Sequence, residues 1–225
     1  MVHRAAGGAR AARRGQGDGS SGRLKRRAVS RRFAGRFRLA EIVSTEIVYS
    51  RWARMILATI RLPDGQSTKR DIEDHGEAAM VLPYDPLRRL ALVIRQFRTP
   101  PRYVGADGMI LEAAAGRLEG EEAEACARRE AMEEVGVRLA QLQPVARVWS
   151  MPALSTERVS LFLAPYAEAD RVAPGGGLSE EHEEITVLEM PLAELAQLAD
   201  AGELTDLKLL LLVQTLRLRR PDCFA

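Results

Sequence analysis

The sequence predicts an α+β fold: a mixed, largely antiparallel sheet with one central helix and two further helices near the C-terminus. Three observations predict it. Short runs rich in Ile, Val and Thr recur between turn signals. A glycine-bearing loop feeds one Glu-rich helix in the middle of the chain, within Gly116 to Val137. Two helical stretches, Pro191–Asp200 and Thr205–Arg219, follow the last strand, Pro191 suiting a first helical turn. At 225 residues the chain has room for one sizeable domain with its own core.

The elements follow in order. Residues 1–37 are rich in Arg, Gly, Ala and Ser and poor in large apolar side chains. Such a segment buries too little surface to offset its ordering entropy, so it is expected to be a disordered basic extension. A nucleic-acid or membrane-surface arm, an organelle leader and a plain extension are the three readings open to it. Leu39–Tyr49 and Trp52–Leu62 read as strands, and Pro63-Asp64-Gly65 as the turn before a third at about Gln66–Asp74. Ala78–Pro83 and Leu90–Phe97 read as a hairpin around Asp85-Pro86, followed by a Pro-rich loop and a strand at Met109–Ala113. Gly136 is placed to end the central helix. Strands are expected at Leu142–Trp149, Val159–Tyr166 and Ile185–Glu189, with a flexible Gly175-Gly176-Gly177 loop before the acidic run 180–184.

The net charge of +2 conceals an asymmetry: residues 1–38 carry +11 and the remainder −9. An acidic body suits a metal-binding role and argues against a nucleic-acid groove. Cys126 and Cys223 are too few for a disulfide framework, which points to a reducing cytoplasm. No apolar run approaches the ~18–20 residues of a membrane span; Leu207–Leu216 is too short and is interrupted by Lys208 and Gln214.

The chemistry concentrates in the central helix. Glu130 and Glu134 are four residues apart and share one helical face, with Glu133 beside them. Like charges at that spacing repel unless neutralised. Hard oxygen ligands so arranged suit Mg²⁺, which takes one or two carboxylates and completes its shell with water and substrate phosphate. The histidines His3, His75 and His182 show no ligand spacing, which argues against zinc.

Arg129-Glu130-Ala131-Met132-Glu133-Glu134-Val135-Gly136-Val137 resembles the helix half of the Nudix box, R-E-U-x-E-E-x-G-U with U apolar. The loop half is one residue short. Gly116 to Glu122 satisfies the first family spacing, whereas Glu121 to Arg129 satisfies the second, so either glutamate can fill that role. Arg95-Gln96-Phe97-Arg98, Leu111 to Gly116, the triglycine with acids after it, and Asp206-Leu207-Lys208 extend the likeness to the subfamily of GDP-mannose and ADP-ribose pyrophosphatases. The triglycine and Ile185-Thr186-Val187-Leu188 lean toward the GDP-mannose branch.

The resemblance implies an α/β/α sandwich of Nudix type with a mixed sheet, preceded by N-terminal antiparallel strands. It implies a Nudix domain at 77–225 and a dimerising strand region at 38–76. It implies Mg²⁺, with Mn²⁺ as a substitute, held by Glu130, Glu134, Glu183 and the carbonyl of Ala115. Substrate contacts are expected from Trp52, Lys69, Arg70, Asp71, Arg98, Ala115, Gly116, Arg117, Glu134, Glu157, His182, Glu183 and Lys208, with Lys69 to Asp71 reaching across a homodimer. Arg129 is expected to orient the box glutamates. Glu157 and Glu133 compete as the catalytic base. Trp52 reads equally as core or as a stacking platform. The implied reaction is hydrolysis of a nucleoside diphosphate sugar such as GDP-mannose. ADP-ribose is the alternative substrate, and a nucleotide-sensing domain without turnover is the alternative class.

Overall fold

The computed structural model describes residues 39–178 and 184–224. The basic extension at 1–37, together with His182 and Glu183, lies outside the described residues. From Ala40 onward the chain forms one compact unit.

Three strands come first: β1 (Glu41–Ser50), β2 (Arg54–Arg61) and β3 (Ser67–Asp74), paired antiparallel in that order. The Pro63-Asp64-Gly65 turn joins β2 to β3 as expected, and Gly65 takes a positive φ of 88°. All ten residues of β1 are exposed, including Ile42, Val43, Ile47, Val48 and Tyr49.

A separate seven-stranded sheet holds the rest. Its path runs β10 (Ile185–Pro191), β5 (Leu90–Phe97), β4 (Ala78–Asp85), β9 (Arg158–Pro165), β8 (Gln143–Trp149), with β6 (Met109–Glu112) on β5 and β7 (Ala114–Arg117) on β4. The β4–β9 pair is parallel and the others antiparallel, so the sheet is mixed. Every residue of β4 is buried because both faces are covered, which explains its apolar run from Ala78 to Tyr84.

The expected hairpin exists only at its base. β4 and β5 pair at Tyr84↔Ala91 and Asp85↔Leu90, then part. The chain from Met109 to Arg117 occupies the gap. β6 lies along β5, the ladder breaks at the fully buried Ala113, and β7 lies along β4. Sequence alone shows neither the wedge nor β7, since Ala115-Gly116-Arg117 reads locally as loop. The Pro-rich segment after Arg98 is also a short helix, α1 (Thr99–Tyr103), started by prolines in the first turn.

Alternation along the strands sorts the core into two layers. Met80, Leu82, Tyr84, Val93, Leu161 and Leu163 pack against α3 (Leu192–Ala201) and α4 (Leu207–Arg219). Ala79, Val81, Leu92, Ile94, Phe162 and Ala164 pack against α2 (Ala123–Val135). The result is the expected α/β/α sandwich. α2 meets the sheet through Cys126, Ala127 and Ala131, small side chains that let its backbone approach closely. Glu130 and Glu134 lie on that same buried face. Among the described residues no helix is long and apolar enough to cross a membrane.

Candidate active site

Strand β7 and helix α2 build the centre of the site. Gly116 touches the helix where a side chain cannot fit: a Cβ there would stand 1.7 Å from Glu130 Oε1. The Ala115 amide donates to Glu134 Oε2 at 2.8 Å. Both carboxylates are thus drawn against the β7 backbone. Glu134 is only 2% exposed and lies beneath Ala115, outside the lining of the adjacent cleft.

Arg129 organises the cluster. Its guanidinium donates to Glu121 Oε1 at 2.8 Å, Glu130 Oε1 at 2.7 Å, Glu133 Oε2 at 3.0 Å and the Arg117 carbonyl at 3.2 Å. The hydrogen bond from Arg129 holds Glu121 below the usual carboxylate range. Its bond to Glu121, the flanking Glu130 charge and Glu133 raise Arg129 in turn. Of the two rival glutamates, Glu121 takes the partnership, and Glu122 is the exposed N-cap of α2. The shortened loop keeps the eight-residue spacing to Arg129, the spacing at which the ion pair forms. Burial, then the Glu130 charge, pushes the Cys126 thiol up to about 12, so it stays protonated and is no nucleophile.

The other end of α2 is fixed by the triglycine. Gly136 ends the helix in the left-handed region at φ 68°. The chain then returns: Gly176 N–H donates to the Glu134 carbonyl at 2.8 Å and Gly177 N–H to the Glu133 carbonyl at 3.1 Å. A Cβ on Gly175 would lie 2.4 Å from the Glu134 carbonyl oxygen. The sequence suggests a flexible linker here. The structure instead uses bare backbone to cap the helix beneath its two metal-ligand candidates.

A cleft of about 420 Å³ opens over this centre. Ala115, Gly116, Arg117, Glu130 and Glu133 line one part, and Arg98 and Lys208 supply cations. Glu112 grips Arg98 in a two-point bond at 3.0 and 2.6 Å, which fixes the guanidinium plane. Arg98 is thus both an ion pair and a cleft residue. Lys208 stands at the start of α4, where a cation opposes the helix dipole. Asp206 offsets this, capping Leu209 N–H and accepting Lys208 Nζ at 2.7 Å.

β7 and β9 flank β4, with Arg117 and Val159 both paired to Ala78. Glu157 precedes β9 and so enters the cleft from the opposite side of β4 to the carboxylate cluster. Trp52 is 68% exposed, which removes the core reading. Its ring stacks on His75 at 4.7 Å between centroids, and the Arg117 guanidinium carbon is 5.6 Å from the Trp52 centroid.

Lys69, Arg70 and Asp71 are exposed on β3 and do not line the cleft of their own chain. The sequence reading missed His75, Glu112 and Glu119, all of which line it. Glu112 carried a signal, an acid ending an apolar strand. His75 carried none, because metal-ligand spacing is the wrong test for a residue that binds carboxylates.

The NUDIX domain model matches residues 74–211. GDP-mannose pyrophosphatase of Cronobacter sakazakii is 42% identical over 152 residues, 67% of this chain and 78% of that protein. GDP-mannose pyrophosphatase of Klebsiella pneumoniae is 37% identical over 150 residues, 66% of this chain and 75% of that protein. A solved structure described as an ADP compounds hydrolase superposes with a TM-score of 0.65 at 19% identity, covering 83% of this chain and 98% of that one, a likeness of fold. The family match takes in β4 to β10 and the Arg129-centred carboxylate cluster, and the chain belongs to the Nudix family.

Proposed function

We propose that the chain is a Nudix hydrolase that cleaves the pyrophosphate bond of a nucleoside diphosphate sugar of the GDP-mannose type. The observation that carries this is the juxtaposition in one cleft of the Arg129-organised glutamates with two cations, Arg98 and Lys208. The relatives' activity supports the choice of substrate.

The donors fit a hard divalent cation: two buried carboxylates four residues apart and the Ala115 carbonyl, all oxygen. Among the described residues no three acidic, His or Cys side chains are so arranged that they could hold a metal ion by themselves. Mg²⁺ suits such a set because water and substrate phosphate fill its remaining positions. Glu130, Glu134 and Ala115 would hold Mg²⁺ or Mn²⁺, with Glu183 added from the acidic run. The bound cation would neutralise pyrophosphate charge and lower the pKa of a bound water.

The chain's own residues do the remainder. Arg98, its plane set by Glu112, and Lys208 bind phosphate oxygens. Trp52, open at the cleft mouth, offers a face to the base, and Arg117 lies beside it. Glu133 is engaged by Arg129 within the carboxylate cluster, whereas Glu157 stands apart on the far side of β4. Glu157 is the base: it takes the proton of the attacking water as one P–O bond forms and the bridging P–O bond breaks. The products are a nucleoside monophosphate and a sugar phosphate. The working form is a homodimer joined through the exposed N-terminal strands, which carries Lys69, Arg70 and Asp71 to the neighbouring cleft. A nucleotide sensor is the weaker reading, because binding alone needs no complete set of Glu130, Glu133 and Glu134.

The test is a panel of GDP-mannose, ADP-ribose, NADH and diadenosine polyphosphates with Mg²⁺, products resolved by chromatography. GDP-mannose is expected to give GMP and mannose phosphate. Turnover of none of them overturns the hydrolase reading.

A further inference from the structure

His75 joins the two halves of the cleft that the reaction must bring together. Its ring stacks on Trp52 with planes 23° apart, and its Nε2 stands 3.2 Å from Glu157 Oε1. Nδ1 stands 2.5 Å from Glu73 Oε1. Glu73 Oε2 accepts from Ser155 Oγ at 2.5 Å, and Ser155 Oγ accepts from the Glu157 amide at 3.0 Å. The four residues therefore close a ring: the side chain of Glu157 is held through His75 and its backbone through Ser155.

Main-chain bonds support that ring. Glu73 N–H donates to the Leu154 carbonyl and Thr156 N–H to the Glu73 carbonyl, both at 2.9 Å, so the end of β3 pairs with the loop bearing Glu157. The His75 side chain is 12% exposed, and its ring lines the cleft. A glutamate on a loop samples several rotamers, and fixing one conserves the entropy that orientation otherwise costs.

We infer that His75 is a positioning residue that holds Glu157 in its working rotamer and seats it relative to the Trp52 ring. This rests on Glu157 being the base. His75→Phe keeps a ring against Trp52 and removes both polar bonds. His75→Gln places an amide near Nε2, within reach of Glu157, and His75→Asn places one near Nδ1 only.

The experiment measures kcat and KM for GDP-mannose with Mg²⁺ in these variants, in Glu157→Gln and in Glu157→Gln/His75→Phe. His75→Phe is expected to lower kcat about 10- to 100-fold, the range seen when a supporting shell is removed, with KM changed little. Gln should restore most of kcat and Asn should not, a contrast that holds even if the Phe variant fails to fold. On the Glu157→Gln background His75→Phe should add nothing, because His75 acts through that carboxylate. A raised KM with unchanged kcat would show that the ring serves only the stack and overturns the inference. Multiplying losses in the double variant overturn it too. Wild-type kcat in Glu157→Gln alone would remove the base assignment and this inference with it.

Discussion

Gly116 has no side chain, and the structure uses the space. The Glu130 carboxylate lies where a Cβ would be, 1.7 Å from its position. The obstructing atoms are the tip of a flexible side chain, so Gly116→Ala can be accommodated by turning Glu130 away. Stability should fall by only about 1 kcal/mol, or about 2–4 °C in Tm, while turnover collapses because a metal-ligand candidate has moved. A thermal scan beside a GDP-mannose assay separates the two effects. Glu134→Gln tests the other carboxylate. The amide oxygen can still accept the Ala115 N–H, so the fold should survive. Removal of the charge should lower kcat by at least about 100-fold, more than loss of a supporting residue costs. Near-wild-type turnover would show that the cation is held elsewhere.

Helix α2 works because its two ends are fixed from outside. Arg129 ties its N-terminal half to Glu121 and β7, and the triglycine backbone caps its C-terminal carbonyls. Gly175 is required there twice over, by a φ of 73° and by a backbone neighbour 2.4 Å from any Cβ. Gly175→Ala meets backbone and not a side-chain tip. It should cost about 1–3 kcal/mol and lower kcat as the Glu134 turn shifts. The clasp between β3 and the Glu157 loop is a second element-level device. Thr156 Oγ1 donates to Asp74 Oδ1 at 2.7 Å, and this bond, aided by Arg54, holds the Asp74 carboxyl below its usual range against the opposing effect of burial. A depressed folded-state pKa adds stability above the unfolded value near ~3.9, which is lost as pH falls through the folded value. Thr156→Val keeps the shape and removes the donor. Urea unfolding at pH 6 and pH 3 should show a less stable variant at pH 6, by up to about 1.5–3 kcal/mol, and a shallower loss on acidification. Parallel pH curves for the two proteins would refute the clasp.

At the scale of the whole molecule, the two-layered core and the N-terminal sheet have different needs. The sandwich buries its apolar side chains within itself: Leu209, Leu212 and Leu216 of α4 are fully buried, each worth about 1.5–3 kcal/mol. The N-terminal sheet instead leaves β1 presenting Ile42, Val43, Ile47, Val48 and Tyr49 to solvent. We propose that this patch is an interface and that a second copy of the chain is its occupant. Ile42→Lys/Ile47→Lys should shift sedimentation from dimer to monomer and raise KM more than it lowers kcat, because Lys69, Arg70 and Asp71 would no longer reach a neighbouring cleft. An unchanged dimer would place the interface elsewhere.

The central helix, its Gly136 stop, the strand runs and the Arg129-to-Val137 pattern were legible from local spacing, because helical periodicity and turn chemistry act over a few residues. The Arg129-to-Val137 pattern carried the resemblance to the family, and the sandwich came with that resemblance. Glu121 over Glu122, the burial of Glu134 behind Ala115 and the exposure of Trp52 were not legible, since each depends on which distant element packs alongside. The β6–β7 wedge between β4 and β5 is the same case: a strand's partner lies outside its own sequence. His75 shows the limit most plainly. Nothing adjacent to it in the chain distinguishes it, and its bond to Glu157 spans 82 residues. The sequence by itself determined that Glu130 and Glu134 are paired, because they lie four residues apart on one helix. Only the tertiary structure decided what stands opposite them, because the far wall of the cleft is brought there by sheet pairing.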